Sequence, residues 1–158
     1  MKKLTHVDEK GRPRMVDVTD KEETQREAIT KGIVHMKAET LKLLQKGLLP
    51  KGDVLSVAQI AGIMAAKHTP SLIPMCHPLL LGEIKVEFEI DQTRNAVLIT
   101  SKVKNTGKTG VEMEAMTATA VAALTIYDMC KAVDRGIKID NVRLIRKSGG
   151  KSGLIEME

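Results

Sequence analysis

The chain has 158 residues, with 25 Lys+Arg against 20 Asp+Glu, a formal net charge of +5 and 42% hydrophobic residues. This composition fits one globular domain that buries a core without disulfide or metal staples, and it excludes disordered and fibrous classes. Aromatic content is 1%, only Phe88 and Tyr127, which argues against a single-strand nucleic-acid binder, because bases need aromatic platforms to stack on.

Residues 1–14 are polar, carry Gly11 and Pro13, and read as a mobile arm. Thr19 followed by Glu22 imitates a helix-capping box, but β-branched Ile29, Thr30, Ile33 and Val34 favour a strand over 24–36. Leu41, Leu43 and Leu44 predict a helix over 37–45, stopped by Gly47. Asp53 follows the turn Pro50-Lys51-Gly52 as a good N-cap, and Val54, Val57, Ile60, Ala61 and Met64 recur at helical spacing over 54–67. Pro70, Pro74 and Pro78 forbid one regular element across 69–78. Ile84, Val86, Phe88 and Ile90 alternate with charged residues as a strand, and a turn at 92–95 leads to a partner strand over 96–104.

After the basic, glycine-bearing loop 104–110 comes the longest helix, about 111–134, apolar almost all round, so it is buried or lies between subunits. Gly136 ends it, and 138–147 alternates as the last strand. The order predicts an α+β fold, a ferredoxin-like sandwich with helices on one face of a mainly antiparallel sheet, in which Met and small aliphatics fill the core. The start has no apolar run and no span is of membrane length, and Cys76 and Cys130 form no CxxC, which together predict a cytoplasmic protein with reduced thiols and no membrane partner.

Four clusters carry candidate chemistry. Met75-Cys76-His77-Pro78 holds a histidine in a stiff loop, suited to contacting substrate or carrying a proton, or simply to bonding backbone. No second Cys/His pair stands at ligand spacing, so no metal is expected. Gly107-Lys108-Thr109-Gly110 and Gly150-Lys151-Ser152 suit phosphate, yet neither is a Walker loop, since Lys102 and Ile145 stand where its first glycine belongs. Thr109 and Glu112 fit a capping box, whereas Glu114 sits in an apolar run and would be half-buried, a carboxylate in need of a partner or a task. Asp128 and Lys131 sit at i,i+3 among apolar residues, where a half-buried lysine tends to a lowered pKa suited to acid/base work. Glu114 and Asp128 are 14 residues apart, about 21 Å along a helix, so either the site is long or two subunits supply its ends.

Met75-Cys76-His77-Pro78-Leu79, Lys108-Thr109-Gly110-Val111-Glu112-Met113-Glu114-Ala115, Leu124-Thr125-Ile126-Tyr127-Asp128-Met129-Cys130-Lys131-Ala132 and Lys147-Ser148-Gly149-Gly150-Lys151-Ser152-Gly153 occur in that order. Together they closely resemble the cyclic pyranopterin monophosphate synthase family, molybdenum cofactor biosynthesis protein C, as do His6, Met15-Val16-Asp17-Val18 and Lys51-Gly52-Asp53. The match covers roughly 15–153. It implies a single catalytic domain over 15–153 with a tail over 154–158. It also implies conversion of 3′,8-cyclo-7,8-dihydro-GTP, made by an upstream radical enzyme, to cyclic pyranopterin monophosphate and pyrophosphate. No cofactor is implied. By the resemblance, Lys51, Asp128 and Lys131 are the acid/base group, Met75, Cys76, His77, Glu112, Met113 and Glu114 bind substrate, and Lys147 is a ligand for the phosphate tail. The family's assembly is a hexamer built from dimers. A nucleotide- or nucleic-acid-binding module and a structural interaction protein are the competing readings; the first lacks aromatics and any binding signature, the second leaves Glu114, Asp128 and Lys131 without purpose.

Overall fold

A computed structural model describes residues 6–157; the first five residues of the expected arm and Glu158 of the tail lie outside the described residues. Residues 6–14 fold back on themselves, with Val7 bridged to Pro13 and the Asp8 carboxylate accepting the Lys10 and Arg12 amides at 2.8 Å each. The first strand, β1 (Thr24–His35), settles the conflict between helix and strand signals. It is paired on both sides, so its β-branched residues pack against neighbours on the pleat, and Ala28, Thr30 and Val34 are fully buried on one face.

Two helices follow, α1 (Ala38–Gln45) and α2 (Val54–Lys67), the second capped as expected by Asp53, whose carboxylate accepts the Ser56 amide at 3.1 Å. The proline-rich stretch forms one short turn of helix, α3 (Thr69–Leu72), then runs irregularly. Strands β2 (Glu83–Asp91) and β3 (Ala96–Gly107) make the hairpin. After α4 (Glu112–Cys130) come β4 (Lys138–Ser148) and β5 (Ile155–Glu156), a short strand within the tail that the sequence pattern does not announce.

Every pairing is antiparallel and the sheet runs β2-β3-β1-β4-β5. Two split β-α-β units therefore interleave, and the chain is the α+β, ferredoxin-like sandwich that the element order predicts. Helices α2 and α4 lie side by side on one face of the sheet. The core between them joins Val34, Val86, Val97 and Ile99 of the strands to Ala118, Ala122 and Ile126 of α4, with Met36 and Met129 filling the ends. Gly62 makes the helix crossing close: a β-carbon there would stand 2.9 Å from the Ala118 carbonyl oxygen and 3.3 Å from Val86.

Two features of this frame set up the site. Helix α4 is one unbroken helix, but it is shorter than the span 111–134, because the chain turns at Lys131 and Asp134 is drawn inward. Strand β4 is irregular at two places against β1, between Ile29 and Thr30 and between Lys31 and Ile33. Those shifts place Ile139, Leu144 and Lys147 opposite Val34, Thr30 and Ala28, on the face that α4 covers.

Candidate active site

A cavity of about 930 Å³ opens at the N-terminal end of α4, enough for a nucleotide-sized ligand. The loop after α3 supplies Met75, Cys76 and His77, and the first turn of α4 supplies Glu112, Met113 and Glu114, so all six of these predicted residues line one cavity. The loop is held locally by the Cys76 amide, which donates to the Ile73 carbonyl at 3.1 Å. His77 Nε2 lies 2.8 Å from the Val16 carbonyl oxygen; a carbonyl only accepts, so this nitrogen carries the proton. Lys108 Nζ donates to the Thr19 carbonyl at 2.6 Å. These two bonds lash the segment 16–19 beside the cavity, whose wall also includes Val16, Val18 and Asp20.

The cavity lining mixes acidic and basic side chains. Glu114 is 3% exposed, and its carboxyl is raised above the ordinary range, first by burial and then by the nearby charge of Glu112. Burial, aided by Glu114, likewise raises the Cys76 thiol, which is therefore no ready nucleophile. Glu112 does not cap α4 with Thr109: the N-cap position is Val111 with no side-chain cap, and the Thr109 hydroxyl turns to the Gly110 carbonyl instead. The expected capping box fails because Glu112 is taken by Lys147, whose ammonium reaches it from β4. Lys21, Arg26, Lys108 and Lys151 line the same cavity, with Asp20, Glu22 and the glycines 110 and 150. Arg26 props this lining by donating to the Gly107 and Lys108 carbonyls at 3.2 and 3.3 Å. Gly150 has a φ of +66°, and a β-carbon there would run into the Arg26 guanidinium.

Lys51, Asp128 and Lys131 form a second cluster at the other end of α4. Asp128 takes Lys51 Nζ on one carboxylate oxygen at 2.5 Å and Lys131 Nζ on the other at 2.6 Å. Lys51 also donates to the Asp128 carbonyl at 3.2 Å. The expectation of a half-buried pair with a lowered lysine is corrected here. The three side chains are 46%, 52% and 51% exposed in the protomer. Lys131 is raised, chiefly by its bond to Asp128, and Asp128 is lowered to about 2 by Lys131 and Lys51. Asp128 and Lys131 follow exposed Leu124 on the outward side of α4, while Met129 and Cys130 of the same turn stay buried, so attraction rather than desolvation sets these groups. Because α4 is continuous from Glu112 to Cys130, the two clusters stay about 21 Å apart along it, and one protomer holds them as separate groups.

Sequence reasoning overlooked Arg26, Lys21 and the wall formed by 16–24. The available signal was Arg26 beside the glycine pair 149–150, but only the fold brings them together. Among the described residues no group of three or more His, Cys, Asp or Glu side chains is placed to hold a metal ion, and no helix is long and apolar enough to cross a membrane.

The MoaC family model matches residues 15–150. The chain is 58% identical over 158 residues to a protein of Roseiflexus castenholzii (strain DSM 13941 / HLO8), covering 100% of both. It is 57% identical over 155 residues to one of Thermoanaerobacter sp. (strain X514), covering 98% of each, and 55% identical over 155 residues to one of Listeria monocytogenes serotype 4b (strain F2365), covering 98% of this chain and 96% of the other. All three are named cyclic pyranopterin monophosphate synthase. With a model match across most of its length and relatives this similar from end to end, the chain belongs to the MoaC family.

Proposed function

We propose that the chain is a cyclic pyranopterin monophosphate synthase of molybdenum cofactor biosynthesis. Its substrate is 3′,8-cyclo-7,8-dihydro-GTP and its products are cyclic pyranopterin monophosphate and pyrophosphate, which makes it a phosphorus–oxygen lyase. The observation that carries this reading is one cavity lined by the buried carboxyl of Glu114 and by Glu112 together with Arg26, Lys108, Lys151 and the glycines 110 and 150. A guanine-derived ring presents adjacent N–H donors on its pyrimidine edge, which match the carboxylates of Glu112 and Glu114, while Met75 and Met113 supply apolar contact. Arg26, Lys108 and Lys151 suit a triphosphate, and Lys147 sets the direction of Glu112 while adding positive charge.

The reaction rearranges the ring and lets a ribose-derived hydroxyl attack the α-phosphate, expelling pyrophosphate. Cations near the phosphates stabilise the departing charge. Asp128, Lys51 and Lys131 exchange the protons of ring opening and closure. A single protomer holds them too far from the cavity, so the working site joins the cavity end of one subunit to the lysine–aspartate end of another. Much of α4 is buried within the chain, but Leu124, and Val57, Ile60 and Met64 of α2, remain exposed on the helix layer. That apolar surface supports assembly, and a homohexamer built from dimers is the arrangement we favour. Closure by a neighbour also desolvates Lys131, which opposes the rise that Asp128 gives it. The enzyme then acts in the cytoplasm, downstream of the radical enzyme that makes its substrate.

The test supplies the cyclic dihydro-GTP intermediate and follows pyrophosphate and, after oxidation, the fluorescent pterin. Formation of both by the wild-type protein, with loss in Lys131→Ala, is expected. An intermediate that binds and persists unchanged would contradict the proposal.

A further inference from the structure

Asp134 is a carboxylate with no place in the chemistry above, yet it is 1% exposed. Its Oδ2 accepts the Lys37 amide at 2.9 Å and the Thr40 hydroxyl at 3.1 Å, and its Oδ1 accepts the Gly136 amide at 3.0 Å. Burial pushes this carboxyl up, but these bonds and the Lys37 charge outweigh it and hold Asp134 below its ordinary value, so it stays ionised. Lys37 is the N-cap position of α1 and makes no side-chain cap of its own. Asp134 thus serves the start of α1 from across the chain, a buried charge fully occupied by three donors.

The placement matters because of what lies at the other end of α1. The chain leaves that helix through Gly47 and buried Leu49, turns at Gly52, and Lys51 reaches Asp128. Segment 37–51 is therefore tied twice to the end of α4: by Asp134 at its start and by the Lys51–Asp128 contact at its finish. Asp134 also closes the turn that carries Lys131, with the Asp134 and Val133 amides both donating to the Cys130 carbonyl at 3.1 and 3.0 Å. Of the three proposed acid/base groups, Lys51 alone comes from a different part of the chain, and Lys131 stands just past the helix.

We propose that Asp134 is a positioning residue that sets Lys51 and Lys131 against Asp128, and that its effect on turnover passes through that triad. This inference rests on the proposed function for its kinetic consequence, and on geometry alone for its effect on the lysines.

Asp134→Asn keeps the shape but turns a donor toward the Gly136 amide or the Lys37 amide, neither of which can accept. It is expected to lower kcat at least about tenfold while KM stays within about twofold, since Asp134 bonds to none of the residues proposed to bind substrate. Leu41→Ala, a buried α1 variant, provides the comparison for stability loss alone: its kcat per folded protomer stays near wild type. In an Asp128→Asn background, where both lysines have lost their carboxylate partner, Asp134→Asn is expected to add little further loss. Equal kcat loss in Leu41→Ala, or losses of Asp134→Asn and Asp128→Asn that multiply, would overturn the proposal.

Thr40→Val removes one donor without changing any charge, and it serves if Asp134→Asn does not fold. In this variant the Lys131 ammonium, followed by NMR titration, is expected to fall toward its ordinary value as its contact with Asp128 loosens; Asp128, Tyr127 and Lys51 are the charged or titratable groups around it. An unchanged Lys131 titration would overturn the proposal. That readout needs no turnover, so an inactive wild-type protein would refute the function while the titration still decides the role of Asp134.

Discussion

Lys51 meets Asp128 at 2.5 Å across 77 positions of sequence, and that contact is where the turn after α1 joins the end of α4. With Lys131 on its other oxygen, Asp128 is a carboxylate held between two ammonium groups. All three groups are open to solvent, so the contact contributes little to the fold and is free to serve chemistry. Asp128→Asn and Lys131→Ala are expected to lower kcat by roughly 10²- to 10⁴-fold, the usual range for acid/base groups, with thermal midpoints within about 3 °C of wild type. Steady-state kinetics with parallel melting curves checks this. Because Asp128 is lowered to about 2 and Lys131 raised, neither group changes charge in the free protomer between about pH 5 and 9, so breaks in that window of kcat/KM belong to other groups or to the assembled site.

Glu114 behaves in the opposite way. Its folded-state pKa is raised from 4.5 by burial, so the native state holds its proton more tightly than the unfolded chain does. Stability then falls as pH rises through and above 4.5, and the loss is complete once pH exceeds the raised value. Glu114→Gln removes this dependence. Above that window its thermal midpoint is expected to exceed wild type by about 2–4 °C, with no difference below about pH 4. If the cavity binds the ring as proposed, KM rises in the same variant. Melting curves across pH, with saturation kinetics, separate the two effects.

Lys147 and Glu112 are a partly buried pair at 25% and 29% side-chain exposure. Removing one partner leaves the other charged in a confined cavity. Lys147→Ala is expected to raise KM about tenfold or more, with a smaller effect on kcat, because a charge-assisted contact to substrate is lost in ground state and transition state alike. Titration calorimetry with the intermediate in a turnover-deficient Asp128→Asn background isolates the binding change.

Gly62 tests the packing on which the whole frame stands. Gly62→Ala places a methyl 2.9 Å from the Ala118 carbonyl oxygen, against rigid helix backbone, so α2 and α4 must part. A destabilisation of about 1–3 kcal/mol in urea unfolding is expected.

Much of the frame was legible in the sequence because its signals are local. The alternation of Ile84, Val86, Phe88 and Ile90, the cap at Asp53 and the β-branched run around Ile29–Val34 each describe their own surroundings. The end of α4 was misjudged because nothing local distinguishes Lys131 from another helical residue; the turn depends on Asp134 finding Lys37 and Thr40, nearly a hundred positions away. The same holds for Glu112, whose spacing from Thr109 fits a cap while the irregular register of β4 delivers Lys147 to it. The candidate residues themselves came from motif order, and their separation into two ends of one helix from the helical rise. What the sequence lacked was solvent: the apolar run around Asp128 suggested burial, but Asp128 and Lys131 lie with Leu124 on the outward side of a turn whose Met129 and Cys130 face the core.

The central claim is that two subunits complete one site, and mixing inactive variants tests it most directly. Lys131→Ala disables the lysine–aspartate end, and His77→Ala combined with Glu114→Gln disables the cavity end. Refolded together in equal amounts, half of the dimers are mixed, and each mixed dimer pairs one intact cavity with one intact lysine–aspartate cluster. The account predicts pyrophosphate release at about a quarter of the wild-type rate from a mixture of individually inactive proteins. A mixture as inactive as its components, in dimers shown to have exchanged subunits, would contradict it.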